Sequence, residues 1–190
     1  LRSAMVRVGN ARLGELANVV AMEDTFKCDH PEFGRMFKKL WCSTVLTASL
    51  ARLICKDVDL SDRDQTYLHA LFHNVGELFL LNIFAELYRR TDAAIDMTAV
   101  MSRVQQWHER IGGELIKRWG MGESFIEVAS KHHDWVFKSN SDRTRLHRLM
   151  GVTNAAMLLM AEAGANAYRE QSDTASIEAI QQSLGVCDDT

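Results

Sequence analysis

The sequence has few residues that break helices, with a single proline and 11 glycines among 190 residues. It also offers no convincing alternation of apolar and polar residues, which is the pattern of a half-buried β-strand. Apolar residues instead recur at intervals of three and four in nearly every segment, and this spacing indicates helices. We therefore predict one all-α domain, a bundle of about eight helices that occupies residues 1–190.

The four cysteines form no CxxC pair, which disfavours a zinc ribbon or a thioredoxin-type site. The sequence shows neither a signal peptide nor a disulfide pattern, so a reducing cytoplasm is the expected location. The longest apolar runs, such as Leu78–Leu81, are far too short to span a bilayer. We accordingly expect no membrane partner.

The net charge is -3, which disfavours bulk attraction to nucleic acid or to anionic membranes. A local exception is a basic cluster made of Arg143, Arg145, His147 and Arg148. Cations at a helix start oppose the helix dipole, so a phosphate or an acidic partner is conceivable there. A solvated face is the commoner explanation, and nucleic-acid binding stays a minor alternative.

Capping and stop signals divide the chain into helices. Pro31 suits the first turn of a helix that runs to about residue 56. Ser61 is a predicted N-cap for a helix that ends at His73, where Asn74-Val75-Gly76 breaks or kinks the chain. The remaining predicted helices span residues 3–8, 11–22, 77–90, 98–119, 123–134, 141–162 and 172–185.

His69 and His73 are four residues apart and would share one face of a helix. A metal site needs three or four ligands from several elements, so this pair alone is weak evidence for one. We interpret His69 as a core or partly exposed residue. His73 differs, because it ends a helix just before a glycine turn and can point into a cleft.

Three further histidines occupy positions that could carry chemistry. His108 precedes Gly112 and Gly113, and two glycines let another helix approach closely. His132 and His133 lie near the end of a short helix, where an imidazole suits the helix dipole. Taken singly each is more often structural, but together they suggest a shared site.

Six segments, in this order and spacing, carry a family resemblance: Ser3–Gly9, Leu40–Ser43 with Ala48, Leu71–Leu78, Trp107–Leu115, Trp119–Met121 and Ile126–Asp134. They cover most of the chain, which resembles an HDOD domain, a branch of the HD metal-dependent phosphohydrolase superfamily. The resemblance implies an HD-domain-like helical bundle. HDOD domains usually have further helices before the point where this chain starts, so we expect a fragment of a longer protein.

The resemblance also implies a degenerate metal site, with these residues at the ligand positions of HD hydrolases: Cys42, His73, Asn74, His108, one of His132 or His133, and Asn154. Both acidic ligands would then be amides. An amide lacks the charge that balances a divalent ion and cannot act as a general base. We expect a vestigial polar pocket with no catalytic residue and no cofactor. A residual divalent metal, held with help from a Cys42 thiolate, is the alternative.

The family resemblance implies a non-catalytic domain in bacterial signal transduction. Such a domain would act through protein partners, and a homodimer is possible. The alternative is a metal-dependent phosphohydrolase that acts on nucleotides or cyclic dinucleotides. The amides at Asn74 and Asn154 favour the first hypothesis.

Overall fold

The computed structural model describes residues 21, 30–55, 63–91, 94–133 and 145–162. Within these ranges it contains helices and no β-strand, which confirms the all-α prediction. The helices are α1 (Pro31–Ile54), α2 (Arg63–Phe72), α3 (Val75–Thr91), α4 (Met97–Arg118), α5 (Glu123–Lys131) and α6 (Arg145–Glu162). The predicted helices over 3–8, 11–22 and 172–185 lie outside the described residues, so the total of eight stays a prediction.

Several helix ends coincide with local signals in the sequence. Pro31 lies in the first turn of α1, where its missing N–H leaves no helical hydrogen bond unmade. Asp96 caps α4 because its side chain accepts the backbone N–H of Ala99 at 3.0 Å. After α4, Gly120 has a φ of +69°, a conformation that favours glycine. The predicted cap Ser61 lies outside the described residues.

The break predicted at Asn74-Val75-Gly76 lies slightly earlier, at His73 and Asn74, which form a turn between α2 and α3. Because α3 begins at Val75, Gly76 lies in its first turn. A Cβ on Gly76 would lie 1.9 Å from the carbonyl oxygen of His108 and 2.7 Å from the nitrogen of Gly112. Glycine therefore lets α3 cross α4 in backbone contact, directly beside His108.

The helices pack around one core. α1 packs against α2, α3 and α6, while α4 lies between α3 and α5. The largest side chains with almost no solvent exposure include Phe33, Leu40, Leu71, Leu78 and Ile116. This packing brings the end of α2, the middle of α4, the end of α5 and one face of α6 towards each other.

One stretch of the described residues, Arg63–Thr91, is long and apolar enough by composition to cross a membrane. The turn at His73 divides this stretch into α2 and α3. Since 61% of its apolar window is buried inside the domain, its apolar residues serve the core.

Candidate functional site

Three histidine side chains converge between the middle of α4 and the end of α5. His108 lies on α4, and His132 and His133 directly follow the last residue of α5. The Nε2 atom of His108 lies 3.3 Å from Nε2 of His132 and 3.1 Å from Nε2 of His133. We term these three residues the histidine cluster. His108 and His132 are buried, whereas His133 is half-buried.

The backbone of α4 orients the first member of the histidine cluster. His108 donates its Nδ1–H to the carbonyl of Gln105 at 2.8 Å. Because a carbonyl can only accept a hydrogen bond, the neutral ring of His108 carries its lone pair on Nε2. That lone pair points at the other two imidazoles.

His73 lies beside the histidine cluster without belonging to it. Its ring centroid is 5.2 Å from that of His132, and the two rings meet edge to face. Its Nδ1–H donates to the carbonyl of Ala70, and its buried Nε2 has no hydrogen-bond partner among the described residues. Burial lowers the pKa of His73 from 6.5 to about 3 and holds the pKa of His132 well below 6.5. Both rings are therefore neutral at neutral pH.

The two amides predicted for this region are both buried. Asn74 follows His73 in the turn between α2 and α3. The side-chain N–H of Asn154, on α6, donates to the backbone carbonyl of His132. A carboxylate could not donate this hydrogen bond. The amide of Asn154 thus ties α6 to the turn that carries His132 and His133.

Cys42 is the predicted site residue that the structure does not bring to the others. Its side chain lies on the exposed side of α1, whereas its neighbours Ser43 and Thr44 are buried. Successive residues of a helix are rotated by about 100°, so one step along α1 changes which side a residue faces. The Cys42 thiol is therefore not part of the histidine cluster.

Sequence reasoning missed Glu109. Its Oε1 atom accepts the backbone N–H of His133 at 3.0 Å and lies 3.8 Å from Nδ1 of His132. The signal that could have found it is its position next to His108 on α4. The carboxylate lies at the outer side of the histidine cluster, where it contacts both residues of the His132–His133 pair.

Of the two positions expected for His69, core or partly exposed, the structure shows the core. It is buried, its Nδ1 lies 2.7 Å from the carbonyl of Gln65, and its Nε2 lies 2.9 Å from Oγ of Ser124. Its ring stacks on Phe125 with centroids 3.8 Å apart. The basic cluster lies outside the described side chains, although α6 begins at Arg145.

The residues present do not fit the carboxylate-containing metal centre of HD hydrolases. The family resemblance assigns Asn74 and Asn154 to the acidic positions of that centre, and Asn154 uses its amide as a donor to a carbonyl. The three imidazoles of the histidine cluster are a different case. Their ring nitrogens lie within 4.8 Å of one another, and nitrogen is a donor that zinc and its neighbours accept readily.

Comparison with known proteins agrees with the fold. The family model of the HDOD domain matches residues 1–135. The crystal structure of a candidate metal-dependent phosphohydrolase from Shewanella amazonensis SB2B is similar to this chain, with a TM-score of 0.67 and 22% sequence identity. The match covers 97% of this chain and 61% of the Shewanella chain. The crystal structure of an HDOD domain protein with unknown function from Geobacter sulfurreducens is also similar, with a TM-score of 0.54 and 19% sequence identity. This match covers 80% of this chain and 58% of the Geobacter chain.

At these identities the two crystal structures show a shared fold alone. The chain spans about three fifths of the length of these solved relatives. No curated protein matches the chain.

Proposed function

The chain belongs to the HDOD domain family, and from this premise we propose that it is a non-catalytic regulatory domain. It acts in the cytoplasm of a bacterium as part of a signal-transduction protein, and it works through protein partners, which include a possible second copy of itself. The proposal is carried by the two amides Asn74 and Asn154, which the family resemblance assigns to positions where a hydrolase needs carboxylates.

The chemistry of phosphoester hydrolysis supports this proposal. Carboxylate ligands offset the charge of a divalent ion and orient or deprotonate the water that attacks phosphorus. A neutral amide does neither, since it has no proton-accepting group near neutral pH. Asn154 is moreover engaged with the carbonyl of His132. This hydrogen bond ties α6 to the turn that carries His132.

A metal-dependent phosphohydrolase acting on nucleotides or cyclic dinucleotides is the second candidate function. The histidine cluster favours it, because three converging imidazoles can bind a transition metal. Among the described residues Glu109 brings a carboxylate beside that cluster, but its Oε1 already accepts the N–H of His133. Hydrolysis would also require a carboxylate that is free to hold the ion or to activate water. The non-catalytic function does not require such a group.

A phosphodiesterase assay separates the two candidates. The purified chain is supplied in turn with manganese, iron and zinc, then incubated with bis(p-nitrophenyl) phosphate and with cyclic dinucleotides. We expect a rate no greater than that of a matched His108→Gln/His133→Gln variant. Turnover that depends on added metal and disappears in this variant would refute the non-catalytic function.

A further inference from the structure

We infer that the outer face of α1 is the surface through which two copies of this chain form an antiparallel dimer. Four side chains line this face, and we term them the α1 seam: Cys42, Leu46, Ser49 and Leu53. The inference rests on the proposed function only in naming a second copy of the chain as one of the partners.

The α1 seam is an uncharged face that is open to solvent. Leu46 is 48% exposed and Leu53 is 59% exposed, and Cys42 and Ser49 are exposed as well. The twelve residues between Lys39 and Arg52 include no charged side chain. The solvent side of a helix ordinarily carries charged and polar residues, whereas a continuous apolar stripe there indicates a contact surface.

The spacing of the four residues makes the stripe continuous. They follow one another at intervals of four, three and four residues. At 3.6 residues per turn, all four lie within about 60° of one another around the helix axis. Such intervals are typical of the seam along which one helix of a coiled coil packs against another. The outer face of α1 is therefore shaped to receive a further helix.

A second α1 that runs in the opposite direction fits this stripe. About a two-fold axis between Leu46 and Ser49, Leu53 of one copy faces Cys42 of the other. Leu46 likewise faces Ser49, so each large side chain meets a small one, as a self-complementary two-fold interface requires. The hydroxyl of Ser49 already donates to the carbonyl of Val45 at 2.8 Å, so its burial leaves no donor unpaired.

Charge favours the antiparallel direction over the parallel one. Towards the start of α1 the stripe continues into three exposed cations, Arg35, Lys38 and Lys39. In a parallel dimer they would lie beside the same cations of the second copy. In the antiparallel dimer Lys39 lies beside the C-terminal end of the second α1, which carries the partial negative charge of the helix dipole. Arg52 near that end is paired with Asp64 at 2.7 Å, so its charge is already balanced.

The size of the α1 seam sets the strength of the dimer. The facing segments, residues 42–53, are about 17 Å long at about 1.5 Å per residue. Four side chains from each copy make a contact at the small end of specific protein interfaces. We therefore expect a reversible dimer that dissociates in the micromolar range.

Sedimentation velocity of the full chain measures this equilibrium. We expect monomer at about 1 µM and mostly dimer at about 300 µM. Leu46→Glu places two carboxylates at the centre of the interface and should raise the Kd at least about 30-fold. The matched control is Leu87→Glu, since Leu87 is 51% exposed on α3, and it should dimerise as the wild type does. Far-UV circular dichroism checks that both variants fold.

Disulfide crosslinking tests the direction of the two helices. In a chain with Cys28→Ser and Cys187→Ser, Cys42 is exposed and Cys55 is buried. The antiparallel dimer places the two Cys42 residues about 17 Å apart along the helix axis, beyond the Cα separation of about 7 Å that a disulfide spans. Oxidation with diamide should therefore leave this chain uncrosslinked. Adding Leu53→Cys should produce a covalent dimer through Cys42 of the second copy.

Thiol labelling of Cys42 provides a second measure of the interface. The dissociated chain exposes this thiol, so dilute folded protein should be labelled rapidly. The labelling rate should fall as the protein concentration passes the Kd, because the dimer covers Cys42. Leu46→Glu should remove this dependence on concentration.

A wild-type chain that stays monomeric up to about 300 µM would overturn the inference. Equal weakening by Leu46→Glu and Leu87→Glu would exclude the α1 seam as the interface, and a disulfide between two Cys42 residues would exclude the antiparallel direction. Protection of Cys42 at every concentration would show that the chain covers the seam itself. If Leu46→Glu fails to fold, the Leu53→Cys crosslink decides. A monomer would leave the non-catalytic function standing, because the phosphodiesterase assay tests that function separately.

Discussion

Gly76 is the position at which the fold leaves least room for a side chain. A Cβ there would lie 1.9 Å from the carbonyl oxygen of His108, although real Cβ atoms essentially never approach within 3.0 Å of another heavy atom. Gly76→Ala must therefore move α3 and α4 apart by about 1 Å. Because the displaced atom belongs to the backbone of His108, the histidine cluster must move as well.

The sign of the effect distinguishes a steric contact from helix propensity. Alanine inside a helix is ordinarily more favourable than glycine by about 0.5–1 kcal/mol. Overpacking costs about 1–3 kcal/mol, and here the clash is with backbone that cannot rotate away. We expect Gly76→Ala to lower the free energy of unfolding by about 2–3 kcal/mol. For a chain of this size, that loss lowers the melting temperature by about 4–12 °C.

Urea unfolding followed by far-UV circular dichroism measures this loss against a graded series of glycine controls. The nearest contact of a Cβ would be 2.8 Å at Gly113 and 3.3 Å at Gly112, and nothing lies within 4 Å at Gly122. Destabilisation by alanine should decrease in that order from Gly76. Gly122 precedes α5 as its N-cap, so its change should stay below about 1 kcal/mol. A Gly76→Ala variant as stable as the wild type would refute the close crossing.

Three further predictions concern the surroundings of the histidine cluster. Asn154→Ala removes the donor to the buried carbonyl of His132 and should lower the free energy of unfolding in urea by about 1–3 kcal/mol. An unchanged urea midpoint would contradict that hydrogen bond. Cys42 is exposed and Cys55 is buried, so in a chain whose other cysteines are serine a thiol reagent should modify Cys42 before unfolding and Cys55 only after it. Protection of Cys42 in the folded chain would contradict its placement. Burial holds the pKa of His73 at about 3, below its ordinary value of 6.5. The unfolded chain therefore binds more protons between these values, and the stability present above pH 6.5 is lost as the pH falls towards 3, by up to about 1.4 kcal/mol per pH unit. In chelator-treated protein, the free energy of unfolding of His73→Gln should fall less steeply than that of the wild type between about pH 6 and pH 5. Equal slopes for the two proteins would argue against a neutral buried ring at His73.

Local signals in the sequence were enough to predict the described helices and most of their ends. Pro31 and Gly120 act within a few residues of themselves, because a helical hydrogen bond joins groups only four residues apart. A break close to Asn74 was predicted from the same kind of pattern, but that pattern left His69 as either core or partly exposed. The family resemblance added the prediction that these helices form an HD-domain-like bundle.

The sequence by itself determined that the described residues are helical, that His73 and the His132–His133 pair lie at helix ends, and that His108 lies one turn before two glycines. Only the tertiary structure decided which of those side chains meet. Cys42 faces outward, Glu109 reaches the backbone of His133, and the amide of Asn154 donates to a carbonyl 22 residues away. The physical reason is that these contacts depend on how α3, α4, α5 and α6 cross, and the close approach at Gly76 sets one of those crossings. Helical periodicity describes which face of one helix is buried, but it carries no information about the part of another helix that this face will contact.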